Sequence, residues 1–209
     1  MTIFAQLHRH DVSAKMNIGI YIYDEAEVLD FSGPFEVFST ASRVSKTPNL
    51  FSVFLISETG KTVTARGGYE VNPTYSISDH PLIDVLIVVG GVHTEEMKKP
   101  LVLKWITEAS KKAKLVASVC TGAFLLAEAG VLSNHKVTTH WEDIPDLRNR
   151  YPKLEVLENQ RWVDEENIIT SGGISAGIDM SLHLVSKTHG LALAEKTAKQ
   201  MEFAWTKNT

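Results

Sequence analysis

The chain has 209 residues, 44% hydrophobic and 22% charged, which suits one globular domain with a substantial core. Its formal net charge is −4 and its basic residues are scattered, so nucleic acid and anionic membrane surfaces are not expected partners, and no apolar stretch reaches membrane-spanning length. The single cysteine forms no internal disulfide and the N-terminus lacks the apolar core of a signal peptide, which points to a cytoplasmic protein with a small-molecule partner.

Residues 1–15, mixed in polarity, read as a peripheral N-terminal extension ahead of a single domain over 16–209. Ile18, Ile20 and Ile22 then alternate with Gly19, Tyr21 and Tyr23, the two-residue period of a strand, which stops at Asp24-Glu25. Asp30-Phe31-Ser32-Gly33-Pro34 opens a helix over 35–44 that begins at or near the proline. A second strand covers Phe51–Ser57, and turn signals follow at Gly67-Gly68. The branched-chain run Val85-Leu86-Ile87-Val88-Val89 suits a strand covered on both faces and ends in Gly90-Gly91. An amphipathic helix over 101–112, with Trp105, Ile106 and Ala109 inward, leads to a buried strand at Leu115–Val119.

That strand gives way to Cys120-Thr121-Gly122 and a helix-like apolar run. Unpaired N–H groups at a helix N-terminus favour negative charge, so the position is expected to pull the Cys120 thiol pKa down and make the residue a nucleophile. The quieter reading is a small buried hydrophobe. Further on, a short strand is expected over 136–141, a short helix at Ile144–Arg150, a hairpin over 162–170, and helix over 176–205 broken near Gly190. Alternating strands and helices imply an α/β fold with a mostly parallel sheet, whose ligands collect beyond the carboxyl ends of the strands. Gly90-Gly91, Cys120-Thr121 and Thr139-His140 each finish a predicted strand.

Five runs, Leu29-Asp30-Phe31-Ser32-Gly33-Pro34, Ile87-Val88-Val89-Gly90-Gly91, Ser118-Val119-Cys120-Thr121-Gly122, Thr138-Thr139-His140-Trp141 and Thr170-Ser171-Gly172-Gly173-Ile174, together resemble the DJ-1/PfpI superfamily. Within it the chain is similar to the branch holding isonitrile hydratase and the amidotransferase-like sensor halves of AraC-type regulators. The regulators carry a C-terminal helix-turn-helix domain; this chain ends at Thr209, which favours the stand-alone, hydratase-like reading. The resemblance implies a flavodoxin-like three-layer sandwich with a nucleophile elbow at Cys120, a carboxylate beside it at Asp30, and a homodimer. The hydratases' functional set maps onto Asp30, Cys120 and Thr121, whereas protease-like members have histidine where Thr121 stands.

The implied reaction is hydration of an isonitrile to an N-substituted formamide: Cys120 attacks, Asp30 exchanges protons, and Thr121 orients substrate or water. Backbone N–H groups of Gly91 and Thr121, beside Gly90, are expected to stabilise negative charge. Glyoxalase or deglycase chemistry on dicarbonyls, and a non-enzymatic redox or ligand sensor, are the alternatives. No cofactor and no metal are expected, because the histidines are dispersed. Each residue has a structural alternative: Asp30 capping a helix, Thr121 satisfying the start of its own helix, and Gly90-Gly91 forming only a turn. His140 either assists chemistry, oriented by Glu142 or Asp143, or is a packed residue beside Trp141. His93 lines a pocket mouth or sits in a solvated loop, and Phe203 and Trp205 belong to a dimer interface or to the core.

Overall fold

The alternating isoleucines form β1 (Met16–Tyr21) in the computed structural model, which describes residues 15–207. The extension assigned to residues 1–15 thus lies almost wholly outside the described residues. In chain order there follow α1 (Val28–Val44), β2 (Phe51–Ser57), β3 (Val63–Ala65), β4 (Tyr69–Val71), β5 (Tyr75–Ser76), β6 (Val85–Val88), α2 (Pro100–Lys112), β7 (Leu115–Val119) and α3 (Gly122–Glu128). β8 (Lys136–Val137), α4 (Ile144–Arg150), β9 (Glu155–Val156), β10 (Trp162–Glu165), β11 (Ile168–Ser171), α5 (Ala176–His189) and α6 (Leu191–Gln200) complete it. The main sheet runs β10-β11-β7-β6-β1-β2-β5, parallel except for the edge hairpin β10-β11.

Tyr21, Val88, Ser118 and Thr170 lie in one register row across four strands. The residues just past that row, Gly90, Cys120 and Gly172, therefore share the carboxyl edge of the sheet. Ile18, Ile20, Ile87 and Val88 are fully buried, as strands covered on both faces require. Helices α1, α5 and α6 pack on one another, while α3 packs over β6 and β7 and contacts α2. This is the three-layer α/β sandwich the sequence pattern anticipates. Among the described residues, no helix is long and apolar enough to cross a membrane.

Three expectations are corrected. Helix α1 starts at Val28, so Pro34 lies inside it and Asp30 sits in its first turn. A proline there leaves the Asp30 carbonyl without its helical N–H partner, a cost that the buried face of the helix offsets. The strand expected over 136–141 shrinks to β8, which pairs with β9 in a separate small sheet. Side chains end it: Thr138 N–H donates to Thr170 Oγ1 and Thr138 Oγ1 donates to the Leu157 carbonyl, replacing ladder bonds. The C-terminal helix breaks at Gly190, where φ is 91°, and ends at Gln200 rather than at 205. Phe203 and Trp205 pack against their own chain's core, and the Trp205 indole N–H donates to the Asp179 carbonyl at 3.1 Å.

Candidate active site

Cys120 sits on the turn between β7 and α3 with φ of 55°, a left-handed conformation that a non-glycine residue keeps only when its surroundings hold it. Its N–H points at the carbonyls of Ser171 and Gly172, at 3.2 and 3.3 Å, and its carbonyl accepts the Thr139 hydroxyl at 2.8 Å. Close packing sustains the turn: a Cβ on Gly122 would lie 2.1 Å from the Val88 carbonyl oxygen, so α3 can start there only on glycine.

Gly90 is the point on which the site converges. A Cβ at that position would lie 2.6 Å from the Thr121 nitrogen, 2.7 Å from Cys120 Cβ and 2.8 Å from Asp30 Oδ2. Asp30 is fully buried, and its Oδ2 accepts the Gly90 N–H at 3.1 Å. Its Oδ1 makes no hydrogen bond of ordinary geometry; the Glu27 charge acts on this carboxyl to raise it, and the Cys120 thiol and the Ile174 N–H act to lower it. Asp30 therefore does not cap the helix: Glu27 occupies the cap position. Burial pushes the Asp30 carboxyl up to about 7, opposed by the Gly90 N–H.

Burial, and then the negative charge of Asp30, raise the Cys120 thiol well above its ordinary pKa. This overturns the expectation that the helix end lowers it. The Thr121 N–H does favour the thiolate, but a seven-residue helix cannot outweigh desolvation beside a carboxylate. At rest the pair holds a neutral thiol next to a carboxyl poised near neutrality.

The Thr121 hydroxyl does not cap α3. It accepts the Gly91 N–H and donates to the Gly91 carbonyl, both at 2.9 Å, which clamps the diglycine to the elbow. Of the backbone donors expected to face a ligand, the Gly91 N–H is thus taken by Thr121, and the adjoining Gly90 N–H by Asp30, while the Thr121 N–H is turned to Cys120. Gly91, with φ of 142°, does more than turn the chain: a Cβ there would lie 2.3 Å from the Glu25 carbonyl oxygen.

Cys120, Thr121, Gly91, His93 and His140 line one cleft of about 330 Å³, with Glu27, Arg66 and Ile174 at its walls. His140 does not end a core strand. Its ring lies on Gly173, where a Cβ would come within 2.1 Å of its Cδ2, and its Nδ1 is 3.4 Å from Asp143 Oδ2. The acid and imidazole of a triad are thus present, with no hydrogen bond between His140 and the thiol among the described residues. His93 is half-buried with its ring 4.5 Å from that of Phe124, and burial lowers its pKa, so it is a wall of the cleft rather than a solvated loop residue. Beyond it opens a trough of about 1010 Å³ that shares His93, Thr94 and Asp143 with the cleft.

Sequence reasoning missed two contributors. Ile174, at φ of 55°, is a β-branched residue in the left-handed region, and its Gly172-Gly173 neighbours were the only sequence signal. Tyr23 reads as one more strand position, yet its hydroxyl is buried near Asp30 and Cys120.

The model of the DJ-1/PfpI family matches residues 16–187. An isonitrile hydratase from Pseudomonas putida is 31% identical over 191 residues, covering 90% of this chain and 79% of the relative. The transcriptional regulator CdhR from Pseudomonas aeruginosa is 30% identical over 173 residues, 83% of this chain; the chain spans 51% of that regulator's length. Among solved structures, a THiJ/PfpI family protein from Pseudomonas syringae superposes with a TM-score of 0.82 at 22% identity, covering 100% of this chain and 84% of that one. Drosophila melanogaster DJ-1beta gives 0.79 at 21% identity, covering 92% and 100%.

Proposed function

The chain belongs to the DJ-1/PfpI family, and from that premise we propose that it is an enzyme that hydrates an isonitrile, R–N≡C, to the N-substituted formamide. One observation carries this reading: Cys120, Asp30 and Thr121 converge on Gly90, so that a thiol and a carboxyl with a pKa of about 7 lie side by side. The terminal carbon of an isonitrile must accept both a nucleophile and a proton. A thiol beside a carboxyl supplies both.

The thiol proton passes to the Asp30 carboxylate as sulfur bonds to the terminal carbon, and Asp30 returns that proton to the same carbon, giving the neutral thioimidate R–N=CH–S. Asp30, again a carboxylate, then takes a proton from water as the hydroxyl adds to carbon, and the nitrogen receives it. Collapse of this adduct breaks the C–S bond, releases R–NH–CHO, and returns the hydroxyl proton through Asp30 to sulfur. The Thr121 N–H faces the sulfur on which charge develops, while the Thr121 hydroxyl works as a clamp rather than a substrate contact. The trough beyond His93 takes the R group. We read the working form as a cytoplasmic homodimer, where a reducing medium keeps Cys120 a free thiol.

The raised thiol pKa and 6% exposure of Cys120 disfavour a peroxide sensor, which needs an accessible thiolate. Incubation with cyclohexyl isocyanide, methylglyoxal and hydrogen peroxide in parallel tests the assignment. Formamide formation that falls at least about 100-fold in Cys120→Ala and in Asp30→Asn is expected, general acid–base groups contributing on that scale. Turnover of methylglyoxal alone, or oxidation of Cys120 without turnover, contradicts it.

A further inference from the structure

Cys120 and the trough that takes the R group do not meet directly. The cleft of about 330 Å³ is lined by Cys120 and Thr121 but not by Phe124, whereas the trough of about 1010 Å³ is lined by Phe124 and Met97 but not by Cys120. His93, Thr94 and Asp143 line both. A group bonded to sulfur therefore reaches the trough by passing these side chains. Thr94 is small and exposed, and Asp143 is turned toward His140, its Oδ2 3.4 Å from Nδ1. His93 brings the bulk of a ring to the passage.

That ring is held on two sides. The Val92 N–H donates to the Glu25 carbonyl at 3.1 Å, and the His93 carbonyl accepts the Met97 N–H at 3.0 Å, so the main chain is pinned just before the residue and at it. The ring itself lies 4.5 Å from that of Phe124, with 34° between the planes. Phe124 is 3% exposed and belongs to α3, the helix that follows the elbow, so close packing keeps it in place. Burial lowers the His93 pKa, which keeps the imidazole uncharged against this apolar neighbour. Against a fixed apolar wall, one methylene more or less changes discrimination between substrates by roughly tenfold or more.

We propose that His93 is the specificity-determining residue of this site: its ring is the partition between cleft and trough, and it selects against isonitriles whose R group is a tertiary alkyl, too broad at the carbon bound to nitrogen. The choice of substrate class rests on the reading above, with Cys120 as the reacting atom and the R group in the trough; the partition rests on the two cavities alone.

The test compares alkylation of Cys120 by iodoacetamide with alkylation by its N-tert-butyl derivative in the full-length protein, which needs no turnover. The ratio of the two rates cancels the thiolate population common to both. In His93→Ala the bulky reagent should gain on the small one by about tenfold, and in His93→Trp it should lose by a similar factor. His93→Phe, which keeps a ring and removes the imidazole nitrogens, should retain the parent's ratio. In turnover, kcat/KM for tert-butyl isocyanide relative to cyclohexyl isocyanide should shift in the same directions. A ratio unmoved in His93→Ala and His93→Trp overturns the proposal, including the case in which a loosened elbow speeds both reagents equally. A His93→Phe protein that behaves like His93→Ala overturns it too. If the protein hydrates no isonitrile, the alkylation ratio still reads the partition; if it hydrates them with the ratio unmoved, this proposal fails alone.

Discussion

Asp30 is a carboxyl whose folded-state pKa, about 7, lies above its ordinary 3.8, so between those values the folded protein binds the proton that the unfolded chain releases. Stability from this group is fully present below about pH 4 and is lost as pH rises through 7. Asp30→Asn should therefore gain stability relative to the parent on going from pH 5 to pH 8, by at most about 3 kcal/mol, while losing activity; paired urea titrations read the difference. An equal difference at both pH values contradicts the burial of this charge. Gly90→Ala should drive a methyl between Cys120, Thr121 and Asp30, lowering turnover and alkylation by at least about tenfold and stability by about 1–3 kcal/mol. Normal alkylation in that variant would mean that the three groups do not meet there. Much of this site was legible in the sequence. Cys120 between an apolar run and Thr121-Gly122, and Asp30 before Ser32-Gly33-Pro34, stand out from their neighbours. The sign of the thiol's shift was not legible, because a helix start can be read along the chain while burial beside a carboxylate comes from residues far apart in it. Tyr23 was hidden for a related reason: strand alternation explains it fully.

At the scale of elements, β2, β7 and α4 are the spans expected, since an apolar run or a helix period with clear punctuation marks each. Where side chains take over backbone bonding, the pattern misleads. Thr138 ends β8 early by bonding Thr170 and Leu157, and Pro34, which reads as a helix start, lies within α1. The short strands β3, β4, β5 and β9 carry too few residues for any period to register. The join between α3 and β6 is the most exacting of the element contacts. Gly122→Ala places a methyl 2.1 Å from the Val88 carbonyl oxygen, a backbone atom that cannot rotate away, so α3 must lift from the sheet. The expected cost is about 3 kcal/mol or more, seen as a lowered melting temperature, with Cys120 alkylation accelerated as the elbow opens. A variant as stable as the parent contradicts that packing.

Across the whole molecule, Asp179 ties together segments distant in sequence. It is fully buried in α5, accepts Arg161 Nε at 2.8 Å from the loop before β10, and accepts the Thr206 N–H at 2.7 Å from the C-terminal tail. Arg161→Ala leaves that carboxylate buried without its cation, and urea unfolding should register a loss of about 3 kcal/mol. A loss below about 1 kcal/mol would show that the tail alone suffices. The same frame aligns the carboxyl ends of β6, β7 and β11, so that the diglycine, the elbow and Gly172 meet at one edge. The proposed chemistry follows from that meeting, and its most direct test is the covalent state of Cys120 during turnover. With protein mixed with excess cyclohexyl isocyanide and quenched in acid within the first turnovers, intact-mass and peptide analysis should find one added substrate mass, on the peptide carrying Cys120, absent from Cys120→Ala. Formamide accumulating at full rate with Cys120 unmodified throughout, or in Cys120→Ala itself, would contradict the account.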